Sequence, residues 1–250
     1  MSVLSRFLSQ YFDRSAIGDK LREGTSEGMK GAPMLQLGHP VVFERYVSLG
    51  SNCEVGFQLK RVRGVSESGF FTWNITEPAA LVSLLENDFS GILSKENLTL
   101  HEGGHLMHDA SHDFMVHHSF DPVAFKDAPD FDKKLVALRG KFHHFVNKFR
   151  QNAAEPGRIA YFYKGSLENP QGFALQVHSL LKRYHRQNPF SLIVLQSSDH
   201  HMPDWGLPGI HNRYLKRFSP YSDTPDAHVP SWDAIFREFP HRKPLQLANY

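Results

Sequence analysis

The amino-acid sequence predicts an α/β fold, with α+β as the alternative: one domain with a central sheet flanked by helices. Two runs, Arg158 to Tyr163 and Phe190 to Gln196, read as strands, the second of them buried. Between them, Gly172 to Arg186 has the spacing of a helix. Preceded by a long helical stretch, this order asks for a parallel crossover.

The other elements follow from local signals. At 250 residues the chain is long enough to bury a single core. Ser2 to Phe12 spaces its apolar residues as a short amphipathic helix, and Gly18 to Gly38 is rich in Gly, Ser and Pro. Residues 1–40 are therefore expected to be a leader and linker, and residues 41–250 the domain. Val41 to Ser48 reads as a strand, broken by Gly50, and Ser51 to Arg63 as a helix with Val55, Leu59 and Val62 on one face. Phe70 to Ile75 is expected to be extended. Glu77 to Asn87 is expected to be a helix, with Pro78 in its first turn. Residues 88–112 look irregular, and His112 to Phe120 reads as a strand. Phe131 to Arg150 carries the apolar stripe of a long helix: Leu135, Leu138, Phe142, Phe145 and Phe149. Beyond His200 the chain is expected to be loops, with a short helix from Trp232 to Phe239. No internal repeat is evident.

Composition narrows the function classes. The formal charge is +2 with 16 histidines counted neutral, and no long basic run is present, so nucleic acid is not an expected partner. No run of about 18 apolar residues suggests a membrane span. The first twenty residues lack the apolar core of a secretory signal. A single cysteine allows no intramolecular disulfide and suits a reducing compartment, so a cytoplasmic, bacterial-type protein is expected.

The segment Ser48-Leu49-Gly50-Ser51-Asn52-Cys53-Glu54-Val55-Gly56 carries the most chemistry. Ser51 and Glu54 have capping-box spacing, which puts Cys53 in the first turn of a helix. Free backbone N–H groups and the helix dipole there favour a thiolate and lower its pKa. The same N–H groups, with Ser51 or Asn52, suit an oxyanion. Glu54 opposes the thiolate unless its carboxylate is turned away. The bland alternative is a small buried cysteine that only fills space. A thiolate also needs a base, usually histidine. His118 would share a strand face with Phe114, Val116 and Phe120; such a histidine is commonly a satisfied core residue, and becomes a candidate only by meeting Cys53 in space.

Three blocks resemble a bacterial family of unassigned function described as papain-like cysteine peptidases. They are Ser48 to Gly56, similar to its S-L-G-x-N-C start; Phe70-Phe71-Thr72-Trp73, similar to P-F-D-W and followed by Leu84-Leu85-Glu86-Asn87-Asp88-Phe89; and His118-Ser119-Phe120, similar to H-D-F or H-T-F. The likeness spans roughly residues 43–200. It implies a papain-like fold with Cys53 as nucleophile and His118 as base. Thr72 and Ser119 depart from residues that are often aspartate in the family, so the third group is open among Asp113, Asp121 and Asp199.

Competing signals are weaker. His101-Glu102-Gly103-Gly104-His105 matches H-E-x-x-H, but a zinc site there needs a helix, and each glycine costs it about 1 kcal/mol. A looser metal set of His105, His108 and His112 competes with a solvated loop. The Ser48 to Asn52 string is also similar to serine-hydrolase and pterin-kinase openings. Asp199-His200-His201 follows a buried strand, where α/β sheets place functional groups. The leading expectation is a thiol hydrolase on a peptide, amide or acyl substrate, with no cofactor or metal. An acyltransferase and a non-catalytic binding domain serving surface-polysaccharide assembly are the alternatives. A metal-dependent hydrolase is third. The oligomeric state is left open.

Overall fold

A computed structural model describes residues 41–101 and 103–248. The expected leader helix and linker lie outside them. Four parallel strands, β1 (Arg45–Ser48), β5 (Ile159–Lys164), β6 (Phe190–Ser197) and β7 (Ile210–Leu215), form the central sheet in the order β1-β5-β6-β7. A second sheet of three antiparallel strands, β2 (Leu98–Leu100), β3 (Leu106–Asp109) and β4 (Phe114–His117), lies in the segment between β1 and β5. The helices are α1 (Glu54–Arg63), α2 (Pro78–Glu86), α3 (Phe131–Ala154), α4 (Pro170–Lys182) and α5 (Val229–Glu238).

The two-residue period of a strand divides the core. Ile159, Tyr161 and Tyr163 of β5, with Leu192 and Val194 of β6, face α2, α3 and α4. Ala160 and Phe162, with Ile193 and Leu195, face α1 and α5. Covering both faces buries β5 throughout, which is why it reads as a continuous apolar run. The small sheet joins the first core through Leu98, Met107, Phe114 and Val116.

Local chemistry sets the ends of the helices. Pro78 and Pro170 sit in first turns, where a missing N–H costs nothing. Asn169 caps α4 by accepting from Gly172 N at 3.0 Å. Gly64 ends α1 in the left-handed region, at φ 66°, with its N–H on the Lys60 carbonyl.

The α/β reading and the crossover β5-α4-β6 agree with this structure. Several expected elements differ. Phe70 to Ile75 forms turns, and only Ile75 is extended enough to bridge Met115. An extended strand would send neighbours to opposite faces, whereas Phe70 and Phe71 are both buried, packed edge-to-face at 4.9 Å. Residues 88–112 contain β2 and β3 rather than irregular chain alone. Asp113 has φ 56°, which delays β4 to Phe114. The tail beyond His200 holds β7, disguised by its polar His211, Asn212 and Arg213.

Phe162 is fully buried and packs between Tyr46, at 5.2 Å, and Phe236, at 5.7 Å. Phe162→Ala is expected to cost about 3–5 kcal/mol, read as a lower denaturant midpoint with an unchanged slope.

Candidate active site

The strand-to-helix turn after β1 is built by close approach. Gly50 has φ 99°, and a Cβ there would lie 3.1 Å from Thr76 Cβ and 3.3 Å from the Thr76 carbonyl. Both the conformation and the space demand glycine. Thr76 N donates to the Ser51 carbonyl at 2.9 Å, which ties this turn to the entry of α2. Leu49 N donates to the Phe162 carbonyl at 2.9 Å, fixing the turn at the carboxyl end of β1 beside β5. Functional groups collect at this edge in parallel sheets.

The capping box is a correction. Glu54 N donates to Asn52 Oδ1 at 3.0 Å, so Asn52 rather than Ser51 satisfies the first helical N–H. The helix starts at Glu54, with Cys53 at its N-cap position. Glu54 does not reach back to the turn. Its side chain is fully buried, where it accepts from Trp232 Nε1 at 3.0 Å and from Ser219 N at 3.0 Å. Lys164 Nζ lies 2.9 Å from its Oε2, and Lys164 is itself only 3% exposed.

The expected thiolate is also corrected. Cys53 is 7% exposed, and its sulfur makes no hydrogen bond among the described residues. Burial pushes its thiol up to about 12. Loss of hydration is the cause, and it outweighs the helix terminus here.

His118 lies just past β4, half-buried, with its ring 5.6 Å from that of Phe120. Its Nδ1 accepts from Phe120 N at 3.1 Å, which leaves the proton of the neutral ring on Nε2. That Nε2 is buried and has no hydrogen-bond partner among the described residues. Burial lowers its pKa; the carbonyls of Leu106 and Gly104 oppose this, and nearby His105 adds to the lowering. No hydrogen bond joins His118 to Cys53.

None of the three aspartates orients His118. Asp113 binds His108 Nε2 at 2.7 Å, Asp121 accepts from Val123 N and Ala124 N, and Asp199 accepts from Ser197 Oγ at 3.0 Å. Ser51 is buried and Asn52 half-buried at the turn.

Residues 103–105 of the H-E-x-x-H segment form turn and bend between β2 and β3. Gly103 and Gly104 have φ 79° and 66°, so no helix sets His101 and His105 on one face; Glu102 lies outside the described residues. His112 is spent on Ser83 Oγ and the Ser90 carbonyl, and His108 on Asp113. Among the described residues no group of three or more His, Cys, Asp or Glu side chains is placed to hold a metal ion. A cleft follows the edge of β1 between α1 and α3, lined by Ser48, Arg63 and Lys148; its lining does not include Cys53.

Sequence reasoning missed Lys164, Ser219 and Trp232. The one available signal was a lysine closing the apolar run Ile159 to Lys164. No described helix is long and apolar enough to cross a membrane.

Comparison with known proteins gives one finding. A family model described as "Putative papain-like cysteine peptidase (DUF1796)" matches residues 44–200, a stretch that holds Cys53 and His118. No curated protein and no solved structure matches the chain.

The raised thiol has a checkable consequence. Below about pH 9 the sulfur is protonated in both folded and unfolded chains. Between about 9 and 12 only the unfolded chain ionises, so this contribution to stability is lost as pH rises. Wild-type protein should lose more stability than Cys53→Ala across that window in denaturant titrations. Equal losses contradict the burial of the sulfur.

Proposed function

The chain belongs to this family of papain-like cysteine peptidases, and on that premise we propose a thiol hydrolase in which Cys53 is the nucleophile and His118 handles the proton. The observation that carries the reading is the position of Cys53: it opens α1 at the carboxyl edge of a parallel sheet, on a turn that only glycine at position 50 allows. The sulfur passes its proton to the His118 ring and bonds to a substrate carbonyl carbon. The carbonyl electron pair moves to oxygen, where Ser51 Oγ and the Asn52 amide serve as donors. When the tetrahedral adduct collapses, the leaving amine takes a proton. Water then releases the acid from the thioester. An amine or hydroxyl acceptor in place of water makes the same intermediate an acyl transfer.

The resting geometry constrains this chemistry. The sulfur is a thiol, and the His118 tautomer carries its proton on Nε2. The ring therefore takes the thiol proton only after exchanging its tautomer or releasing Phe120 N–H, and the imidazolium so formed is the acid that the leaving amine requires. Sulfur and imidazole must also meet when substrate binds; catalytic hydrogen bonds are often long before that point. A thiol mechanism needs reducing surroundings, which favours the cell interior as its setting.

The buried sulfur favours a second reading, a non-catalytic binding domain on the same fold. Activated esters and amides with mass spectrometry of the intact protein separate the two. The hydrolase reading expects an acyl adduct on wild type, none on Cys53→Ser, and at least a hundredfold slower turnover in His118→Gln. Wild type that never acquires the adduct supports the binding domain.

A further inference from the structure

The cleft along β1 is a sheet edge with walls on both sides. β1 ends the order of the central sheet, so β5 pairs only one of its edges. Arg45 N and Leu49 N donate to the Arg158 and Phe162 carbonyls; by the alternation of a parallel pair, Tyr46 and Ser48 turn their N–H and C=O groups the other way. Those backbone groups have no hydrogen-bond partner among the described residues. Upstream, the same edge is already in use. Phe43 N donates to the Pro240 carbonyl and Arg242 N to the Phe43 carbonyl, so residues 240–242 lie there as a parallel neighbour. The C-terminal segment then leaves β1, and Gln246 N donates to the Val62 carbonyl on α1. One wall of the open stretch carries Leu59 and Arg63 from α1, and the other carries Phe145, Lys148 and Phe149 from α3. Four basic side chains line the cleft against two acidic ones. Lys148 Nζ donates to the neutral Ser68 carbonyl at 2.9 Å and has no carboxylate partner among the described residues. Arg63 contacts His241 Nδ1 at 3.0 Å and meets Glu67, itself 60% exposed, only at 3.9 Å.

We propose that this cleft binds an extended peptide with acidic side chains, added to the sheet as a strand beside β1. Tyr46 and Ser48 supply the main-chain hydrogen bonds. Phe145 and Phe149 cover apolar side chains of the peptide, and Lys148 and Arg63 pair with its carboxylates. From Glu44 to Ser48 the edge runs about 13 Å, room for roughly four extended residues. A second copy of this chain is the poorer occupant, because walls from α1 and α3 admit a single strand and not the edge of a folded neighbour. Cys53 does not line the cleft, so peptide binding here is independent of its role.

Fluorescence anisotropy of a labelled pentapeptide of alternating valine and glutamate tests this on the full-length protein. Saturable binding is expected. A copy with lysine in place of glutamate should bind at least about tenfold more weakly, and Lys148→Gln should weaken the original peptide by about tenfold. A copy with ester links in place of its amides keeps the side chains and charges but lacks the N–H donors of a strand, and should also lose at least about tenfold. Arg63→Gln, on the opposite wall, locates the site where Lys148→Gln does not fold. Binding that the lysine or ester copy matches, binding that neither variant weakens, or no saturable binding at all overturns the proposal. A dimer in light scattering that takes up no peptide gives the edge to a second copy and overturns it as well.

Discussion

The buried carboxylate of Glu54 is the constraint on which the candidate site depends. A charge taken wholly out of water costs several kcal/mol unless strong partners replace its hydration. Glu54 finds an ammonium, an indole N–H and a backbone N–H, drawn from β5, α5 and the chain between β7 and α5. Satisfying one side chain therefore requires the sheet, the first helix and the C-terminal segment to be assembled together. The residue before it in the chain is Cys53, so the sulfur inherits that placement.

On the opposite side the turn is held by backbone contact. Gly50 allows Thr76 to approach, and Thr76 N closes onto the Ser51 carbonyl. The turn is thus gripped from α2 on one side and, through Glu54, from the α1–α5 layer on the other. Such a grip suits a site that must hold its geometry, but it also seals the sulfur. The raised thiol follows from that burial.

Much of this was legible in the sequence, and what was not has physical reasons. The β5-α4-β6 crossover was readable because burial on both faces leaves nearly continuous apolar strands. The turn at Cys53 was readable because a glycine, a polar pair and a helical stripe mark it locally. The partners of Glu54 were not, because Lys164 and Trp232 stand far along the chain; local spacing offered Ser51 instead, and tertiary contact overrode it. The ionisation of Cys53 was hidden for a related reason: helix ends are visible in sequence, whereas burial is a property of the whole fold. β7 was missed because its polar residues interrupt the run, and Asn212 is in fact buried, bonded to Pro203 and Trp205.

The central claim is that the Glu54–Lys164 pair binds the turn at Cys53 to the rest of the molecule, and a double-mutant cycle of unfolding free energy tests it most directly. Glu54→Gln and Lys164→Met are each expected to cost about 3–5 kcal/mol, since each strands a buried charge, while the double variant costs far less than their sum. Strictly additive losses, or single variants as stable as wild type, would contradict the account.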